Sequence, residues 1–144
     1  MTVSERPAAQ LLVWCARRFV RGDGGANGPP PPIAGLDDDE WRFFIRETLR
    51  HSCLPIAART LATVDAIPPT IKHDLNTAFE ANARRNLRLA GELVLATRAL
   101  AEAGVTSVSW KGPLLAERAY GDLRLRQFFD LDLLIRRADL GVAA

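Results

Sequence analysis

The sequence predicts an α+β protein that is mostly α-helical, with a helical N-terminal region followed by a strand–helix–strand segment. Apolar residues recur at helical spacing over much of residues 7–103. After Gly104 the pattern changes to short β-branched and alternating segments, which are typical of strands. A chain of 144 residues with 48% hydrophobic residues can also bury a core, so wholesale disorder is excluded.

A first helix is predicted within residues 1–21. Pro7 suits the opening turn of a helix, and four residues fall near helical spacing after it: Leu11, Trp14, Cys15 and Phe19. Residues 22–35 then form a Gly/Pro-rich linker, because a glycine cluster followed by consecutive prolines breaks regular structure. A ligand for a proline-recognition domain is the alternative interpretation of this segment.

A helical region is predicted over residues 36–103. Asp37 is expected to be the N-cap of its first helix, with Glu40 in capping-box position three residues later. The apolar stripe of this helix comprises Trp41, Phe44, Ile45, Thr48 and Leu49. A short helix is expected to follow over residues 54–63.

A long helix is predicted from about residue 69 to residue 103. Pro69 lies in its first turn and Gly104 just beyond its end, which is the usual order of these two residues. Its middle, residues 82–88, is more polar than either end. We therefore expect residues 82–88 to be solvated, and contact of their arginines with phosphate or nucleic acid is the less favoured alternative.

Residues 104–144 are predicted to contain two strands. Residues 105–110 are rich in β-branched side chains, and the turn at Lys111 and Gly112 leads into a short helix over residues 113–120. Residues 128–135 then alternate. Phe129, Leu131, Leu133 and Ile135 are expected on one face, with Asp130, Asp132 and Leu134 on the other.

Asp130 and Asp132 are the most informative residues of the second strand. Side chains two positions apart in a strand leave the same face, so both carboxylates would project together, with Cα atoms roughly 6.5–7 Å apart. Aspartate is a poor strand residue, and two neighbouring carboxylates repel unless a cation binds between them. Oxygen ligands of this kind suit Mg²⁺. The alternative is an ordinary solvent-facing strand edge.

The segment from Val108 to about Arg137 resembles the uncharacterised nucleotidyltransferase family, which belongs to the DNA polymerase beta-type nucleotidyltransferase superfamily. The resemblance is carried by Lys111-Gly112, a short helix that ends near Tyr120, then Arg126, and finally Asp130-Leu131-Asp132 with the apolar residues that follow. It implies that residues 104–144 begin the palm, the catalytic core of a nucleotidyltransferase.

The resemblance also implies roles for individual residues. Asp130 and Asp132 would be the catalytic carboxylates and would bind Mg²⁺, which bridges to a nucleoside triphosphate. Gly112 would allow close approach of the backbone to phosphate. Lys111 and Arg126 would neutralise phosphate charge. The implied activity is transfer of a nucleotidyl group from the triphosphate to an unknown acceptor.

The sequence departs from the superfamily pattern at two places. Pro113 follows Gly112 where a residue with a backbone N–H is usual, and Asp139 is the only acidic residue after Asp132. We therefore expect no third carboxylate on a later strand, and two strands alone are marginally stable. We expect an incomplete palm: a fragment with weak or no activity alone, or a chain whose sheet is completed by a partner chain. The alternative function is a non-catalytic helical protein-interaction module.

Composition excludes several other classes. No stretch of about 18 apolar residues exists, so no membrane span is expected, and no signal-peptide pattern is present, which predicts a cytoplasmic protein. The two cysteines lack the spacing of zinc or thioredoxin motifs. A net charge of +2 is too small to indicate nucleic-acid binding.

Overall fold

The computed structural model describes residues 6–22 and 31–143. In chain order the elements are α1 (Pro7–Arg21), α2 (Asp38–Arg50), α3 (Leu54–Leu61), α4 (Pro69–Glu102), β1 (Ser107–Trp110), α5 (Gly112–Leu115) with a π-helical turn (Ala116–Tyr120), a 3₁₀ turn (Leu123–Leu125), β2 (Asp132–Ile135), a second 3₁₀ turn (Arg137–Asp139) and α6 (Leu140–Ala143). The predicted mostly helical α+β class is confirmed. Most of the predicted linker, residues 23–30, lies outside the described residues.

The chain divides into two compact units, of which the first ends at Glu80. Its core is formed by α1, α2, α3 and the beginning of α4. Phe44 is fully buried there, and its ring meets Trp41 edge-on at 5.7 Å between centroids. The predicted stripe of α2 is wrong at Leu49, which is half exposed, and it omitted Phe43, which is buried under the Arg6 guanidinium at 3.9 Å.

The beginning of α2 follows the predicted cap in part. Asp37 is the N-cap, and its carboxylate accepts a hydrogen bond from the Glu40 N–H at 2.9 Å. The expected return bond from Glu40 is wrong, because the Glu40 carboxylate accepts the Ala8 N–H at 3.0 Å and pairs with the guanidinium of Arg6. Glu40 therefore ties α2 to the first turn of α1.

The second unit begins at Ala81 and contains the only sheet found among the described residues, a β1–β2 antiparallel pair. The register places Val108 opposite Leu134 and Trp110 opposite Asp132. Beneath the turn and the helix that follow β1, a small core joins Leu89 of α4 to Ala116 and Phe128, with Leu123 and Leu131 packed against it.

Both strands are shorter than predicted. β1 begins at Ser107, and β2 begins at Asp132. Residues 128–131 lie outside β2, since its partner strand ends at Trp110, opposite Asp132, and the Phe128 carbonyl accepts a hydrogen bond from Arg85 of α4. Phe129 is 67% exposed, so its predicted inward position is wrong; the Arg85 guanidinium covers one side of its ring at 4.3 Å.

Helix α4 has nearly its predicted bounds. The expectation that residues 82–88 are solvated is wrong for four of them, since Asn82 and Asn86 are buried and Ala83 and Arg85 are half-buried. The other three residues are exposed. No helix within the described ranges combines the length and the apolar character that crossing a membrane requires.

Candidate functional site

The two predicted carboxylates lie at the beginning of β2. Asp132 is its first residue, and Asp130 precedes it by two positions, outside the strand. Both residues are exposed, whereas Leu131 between them is half-buried against the core of the second unit. The alternation that places Asp130 and Asp132 on the solvent side therefore persists beyond the paired part of the strand.

A tight turn joins β1 to α5 beside these carboxylates. Lys111 follows Trp110, the register partner of Asp132, so the turn starts where β2 begins. Gly112 is buried, and a Cβ added to it would lie 3.7 Å from the backbone oxygen of Asp130. The structure thus brings together four of the five predicted site residues: Lys111, Gly112, Asp130 and Asp132.

The backbone of this turn is strained. Lys111 has φ 62° and ψ −133°, and Gly112 has φ 45°. A positive φ is readily adopted by glycine but is unfavourable for a side chain such as lysine. A conformation of this kind persists only where the surrounding structure enforces it, and such conformations cluster at functional sites.

Three charged side chains at this position have no partner within the described ranges. Asp130, Asp132 and Lys111 make no hydrogen bond or ion pair there, although the Arg42–Asp39 and Arg98–Glu102 pairs show that exposed charges elsewhere do. The three side chains are consequently available to a ligand that carries both a cation and an anion.

Arg126, the fifth predicted residue, lies four positions before Asp130. Its guanidinium is 5.9 Å from the centre of the Phe128 ring, and its Nη1 atom is buried without a hydrogen-bond partner in the part of the chain that the structure describes. A buried guanidinium nitrogen with no acceptor is costly, so an oxygen-rich ligand would satisfy it.

Three residues of α4 that the sequence analysis assigned to a solvated face belong to this region. Asn82 and Asn86 donate hydrogen bonds to backbone carbonyls between Leu123 and Arg126, and Arg85 bonds both Asn82 and the Phe128 carbonyl. Partial burial lowers the pKa of Arg85, although a guanidinium remains charged at neutral pH. The sequence feature that could have indicated their burial is the spacing of the two asparagines, since residues four apart in a helix lie on one face.

The donor set suits a metal that is held partly by its substrate. No group of three or more His, Cys, Asp or Glu side chains is gathered in the described portion of the chain. Two carboxylates without a third ligand fit Mg²⁺, because Mg²⁺ usually binds one or two carboxylates and completes its coordination with substrate phosphates and water. Sites for structural zinc need four protein ligands and are not indicated here.

Comparison with known proteins gives one family. The sequence profile described as "Uncharacterised nucleotidyltransferase" matches residues 37–144, which is most of the chain. The match covers α2 to α6 and includes all five of the predicted site residues. Comparison with curated proteins and with solved structures finds no match.

Proposed function

The chain belongs to the uncharacterised nucleotidyltransferase family, and we propose that it binds a nucleoside triphosphate with Mg²⁺ and transfers the nucleotidyl group to an acceptor. The observation that supports this proposal is the pair of exposed, unpaired carboxylates, Asp130 and Asp132, beside a strained Lys111-Gly112 turn. A cytoplasmic location is part of the same proposal.

Nucleotidyl transfer requires positioning and charge neutralisation more than covalent catalysis by the protein. The acceptor attacks the α-phosphorus and pyrophosphate leaves, so negative charge has to be stabilised on the phosphate oxygens. A bound Mg²⁺ would supply part of that stabilisation. Asp130 and Asp132 would hold the metal.

The cationic residues have complementary roles in this proposal. Lys111 would bind phosphate oxygens as a point charge, and the unpartnered Nη1 of Arg126 would donate a hydrogen bond to another. Gly112 has φ 45°, which glycine adopts without strain, and its lack of a side chain would let phosphate approach the backbone of the turn closely. Pro113 contributes no N–H, so fewer backbone donors are available here than in a turn without proline.

The first prediction concerns the carboxylates. Asp130→Asn/Asp132→Asn should abolish Mg²⁺-dependent ATP binding, measured by calorimetry on the full gene product, because the amides keep the size of the side chains and remove their charge. Both residues are exposed, so we expect the change in the free energy of unfolding to stay within about 0.5 kcal/mol.

Asp65→Asn/Asp74→Asn is the matched control, since it removes two exposed carboxylates from the first unit. The control should bind ATP with the affinity of the unchanged protein. ATP binding by the control and by the unchanged protein should disappear when Mg²⁺ is removed with a chelator. Equal affinity of the Asp130/Asp132 variant and the control would exclude the metal role.

A second candidate function is a non-catalytic protein-interaction module. It is favoured by the outer face of the β1–β2 pair, where Val108, Trp110 and Leu134 are each more than half exposed. Val108 and Leu134 are register partners and line a groove of about 330 Å³ with Thr106, Ile135 and Arg136. A partner chain that packs against this face would cover its apolar side chains, and such a module would not bind nucleotide.

A further inference from the structure

Two asparagines of α4 are buried deeply. Asn82 is 2% exposed and Asn86 is 0% exposed, and they lie one helical turn apart on the same face. A buried amide is unfavourable unless its hydrogen bonds are made, so these residues need partners from another segment.

The partners are backbone carbonyls of the chain that leads to Asp130. Asn86 Nδ2 donates to the Leu123 carbonyl at 2.6 Å and to the Arg126 carbonyl at 2.7 Å. Asn82 Nδ2 donates to the Arg124 carbonyl at 2.8 Å, with a longer contact of 3.4 Å to the Arg126 carbonyl. Both amides therefore converge on the carbonyl of Arg126.

Arg85 extends this set of contacts toward the carboxylates. Its Nη2 donates to Asn82 Oδ1 at 2.6 Å, its Nε lies 3.4 Å from the Phe128 carbonyl, and its guanidinium stacks on the ring of Phe129. Phe129 is the residue before Asp130. Thus α4 donates hydrogen bonds to four backbone carbonyls of this segment, those of Leu123, Arg124, Arg126 and Phe128.

The side chains of Leu125 and Phe128 are buried, and apart from these and the contacts with α4 few interactions fix the backbone of this segment. It contains one short 3₁₀ turn and no strand, because β2 begins only at Asp132. Its exposed end carries Asp130, and its middle carries Arg126, whose Nη1 is buried without a partner in the described ranges, as is Gln127 Oε1. These polar atoms would be mispositioned if the segment shifted.

We propose that Asn82 and Asn86 are positioning residues that fix Arg126 and Asp130 relative to the Lys111-Gly112 turn and so determine the affinity for metal and nucleotide. This inference rests on the proposed function. The asparagines touch neither metal nor substrate; they act through the carbonyls that they bind. Groups that hydrogen-bond metal ligands directly commonly change metal affinity by about 10–100-fold. The asparagines bond the chain that leads to Asp130 and not its carboxylate, so we expect an effect at the lower end of that range.

The test uses the full gene product and Asn86→Asp. This substitution keeps the shape of the side chain and replaces the Nδ2 donor by an acceptor, which repels both carbonyls. We expect dissociation constants at least tenfold larger for Mn²⁺, followed by electron paramagnetic resonance, and for ATP in the presence of Mg²⁺, followed by calorimetry. The line shape of the bound Mn²⁺ should change as well.

Asn76→Asp is the matched control, because Asn76 is exposed on the same helix. It should leave both dissociation constants within twofold of the unchanged protein. All measurements are made where circular dichroism shows the variant fully folded, because a residue with a purely structural role would change stability and leave the affinity of the folded protein unaltered.

If Asn86→Asp does not fold, Arg85→Lys provides the second variant, since Arg85 is only half-buried. It should weaken Mn²⁺ binding about threefold by losing the bonds to Asn82 and Phe128. Unaltered affinity in folded Asn86→Asp or Arg85→Lys would overturn the positioning role while leaving the proposed function intact. Absence of Mn²⁺ and ATP binding by the unchanged protein would instead overturn the proposed function.

Discussion

Lys111 combines two properties that rarely occur together, a charged side chain and a backbone φ of 62°. Glycine would fit this position with less strain, since a residue without Cβ adopts positive φ readily. The conformation lets the chain leave β1 and begin α5 within one residue, beside Asp130. We infer that lysine is present for its charge, at the expense of local stability.

The second prediction follows from this strain. Lys111→Gly should stabilise the protein by about 1 kcal/mol, because relief of a strained backbone outweighs the greater flexibility of glycine in the unfolded chain. The same variant should bind Mg²⁺–ATP at least tenfold more weakly. Urea unfolding and calorimetry measure the two effects.

Lys111→Gln separates the effect of the side-chain charge from the effect of the backbone strain. It keeps the strained conformation, so its urea midpoint should match that of the unchanged protein while its ATP affinity falls. A Lys111→Gly variant that is both less stable and equally able to bind ATP would contradict this interpretation of the turn.

Individual residues differ in how far the sequence revealed them. Strand spacing selected Asp130 and Asp132, and the resemblance to the family selected Lys111, Gly112 and Arg126. The structure brings four of these five residues together at one turn. Asn82 and Asn86 were not selected, because asparagine in a helix is usually exposed. Their burial depends on a segment about 40 residues later in the chain, which local pattern does not describe.

At the scale of elements, α1 and α2 are joined by Glu40. Its pKa is lowered by the hydrogen bond from the Ala8 N–H first and by the bond from Arg6 second. A carboxylate whose pKa is lower in the folded protein stabilises the fold fully above the pKa of an unfolded glutamate, about 4.3. That stabilisation is lost as the pH falls through the folded pKa.

The third prediction is a change in acid sensitivity. Glu40→Gln should be less stable than the unchanged protein at pH 7, and the difference should narrow as the pH falls below about 4.3, because protonation then removes the same charge from Glu40. Urea midpoints measured between pH 7 and the acid transition test this expectation.

Glu80→Gln supplies the comparison, since Glu80 is exposed and ends the first unit. Its urea midpoints should follow those of the unchanged protein at every pH. If the urea midpoints of Glu40→Gln differ from those of the unchanged protein by the same amount at every pH, Glu40 does not couple folding to protonation.

The strands illustrate the limit of local pattern at this scale. Alternation predicted one strand over residues 128–135, but only Asp132–Ile135 pairs with β1. Solvent exposure alternates from Asp130 onward, although Asp130 and Leu131 have no partner strand, and the alternation fails at Phe129, which is exposed like Asp130. The length of a strand is instead set by its neighbour, which here ends at Trp110.

At the scale of the whole molecule, the chain consists of two compact units with separate cores. The second unit has the smaller core and leaves apolar side chains exposed on its sheet, among them Val108 and Leu134. A two-stranded sheet of this kind is marginally stable unless its apolar face or free edges are covered.

The fourth prediction is therefore self-association through this face. Light scattering after size exclusion should give a mass above that of the 15.8 kDa monomer, increasing with concentration. Val108→Lys should restore the monomer mass, because a charged side chain opposite Leu134 opposes burial of this apolar face.

Val94→Lys is the control, since Val94 is a similarly exposed valine on α4. It should not change the association. A strictly monomeric unchanged protein, or equal effects of the two lysines, would argue against the sheet face as an interface and weaken the interaction-module candidate.

By itself the sequence determined the fold class, the approximate helix bounds and the residues that match the family, because periodicity and motif spacing are properties of neighbouring residues. The tertiary structure alone decided that Lys111 turns back beside Asp130, that β2 begins at Asp132 and that buried asparagines of α4 hold the intervening chain. These features depend on contacts between residues that are distant in sequence. Burying a polar group costs free energy unless it makes hydrogen bonds, and no local pattern specifies which distant residues provide them.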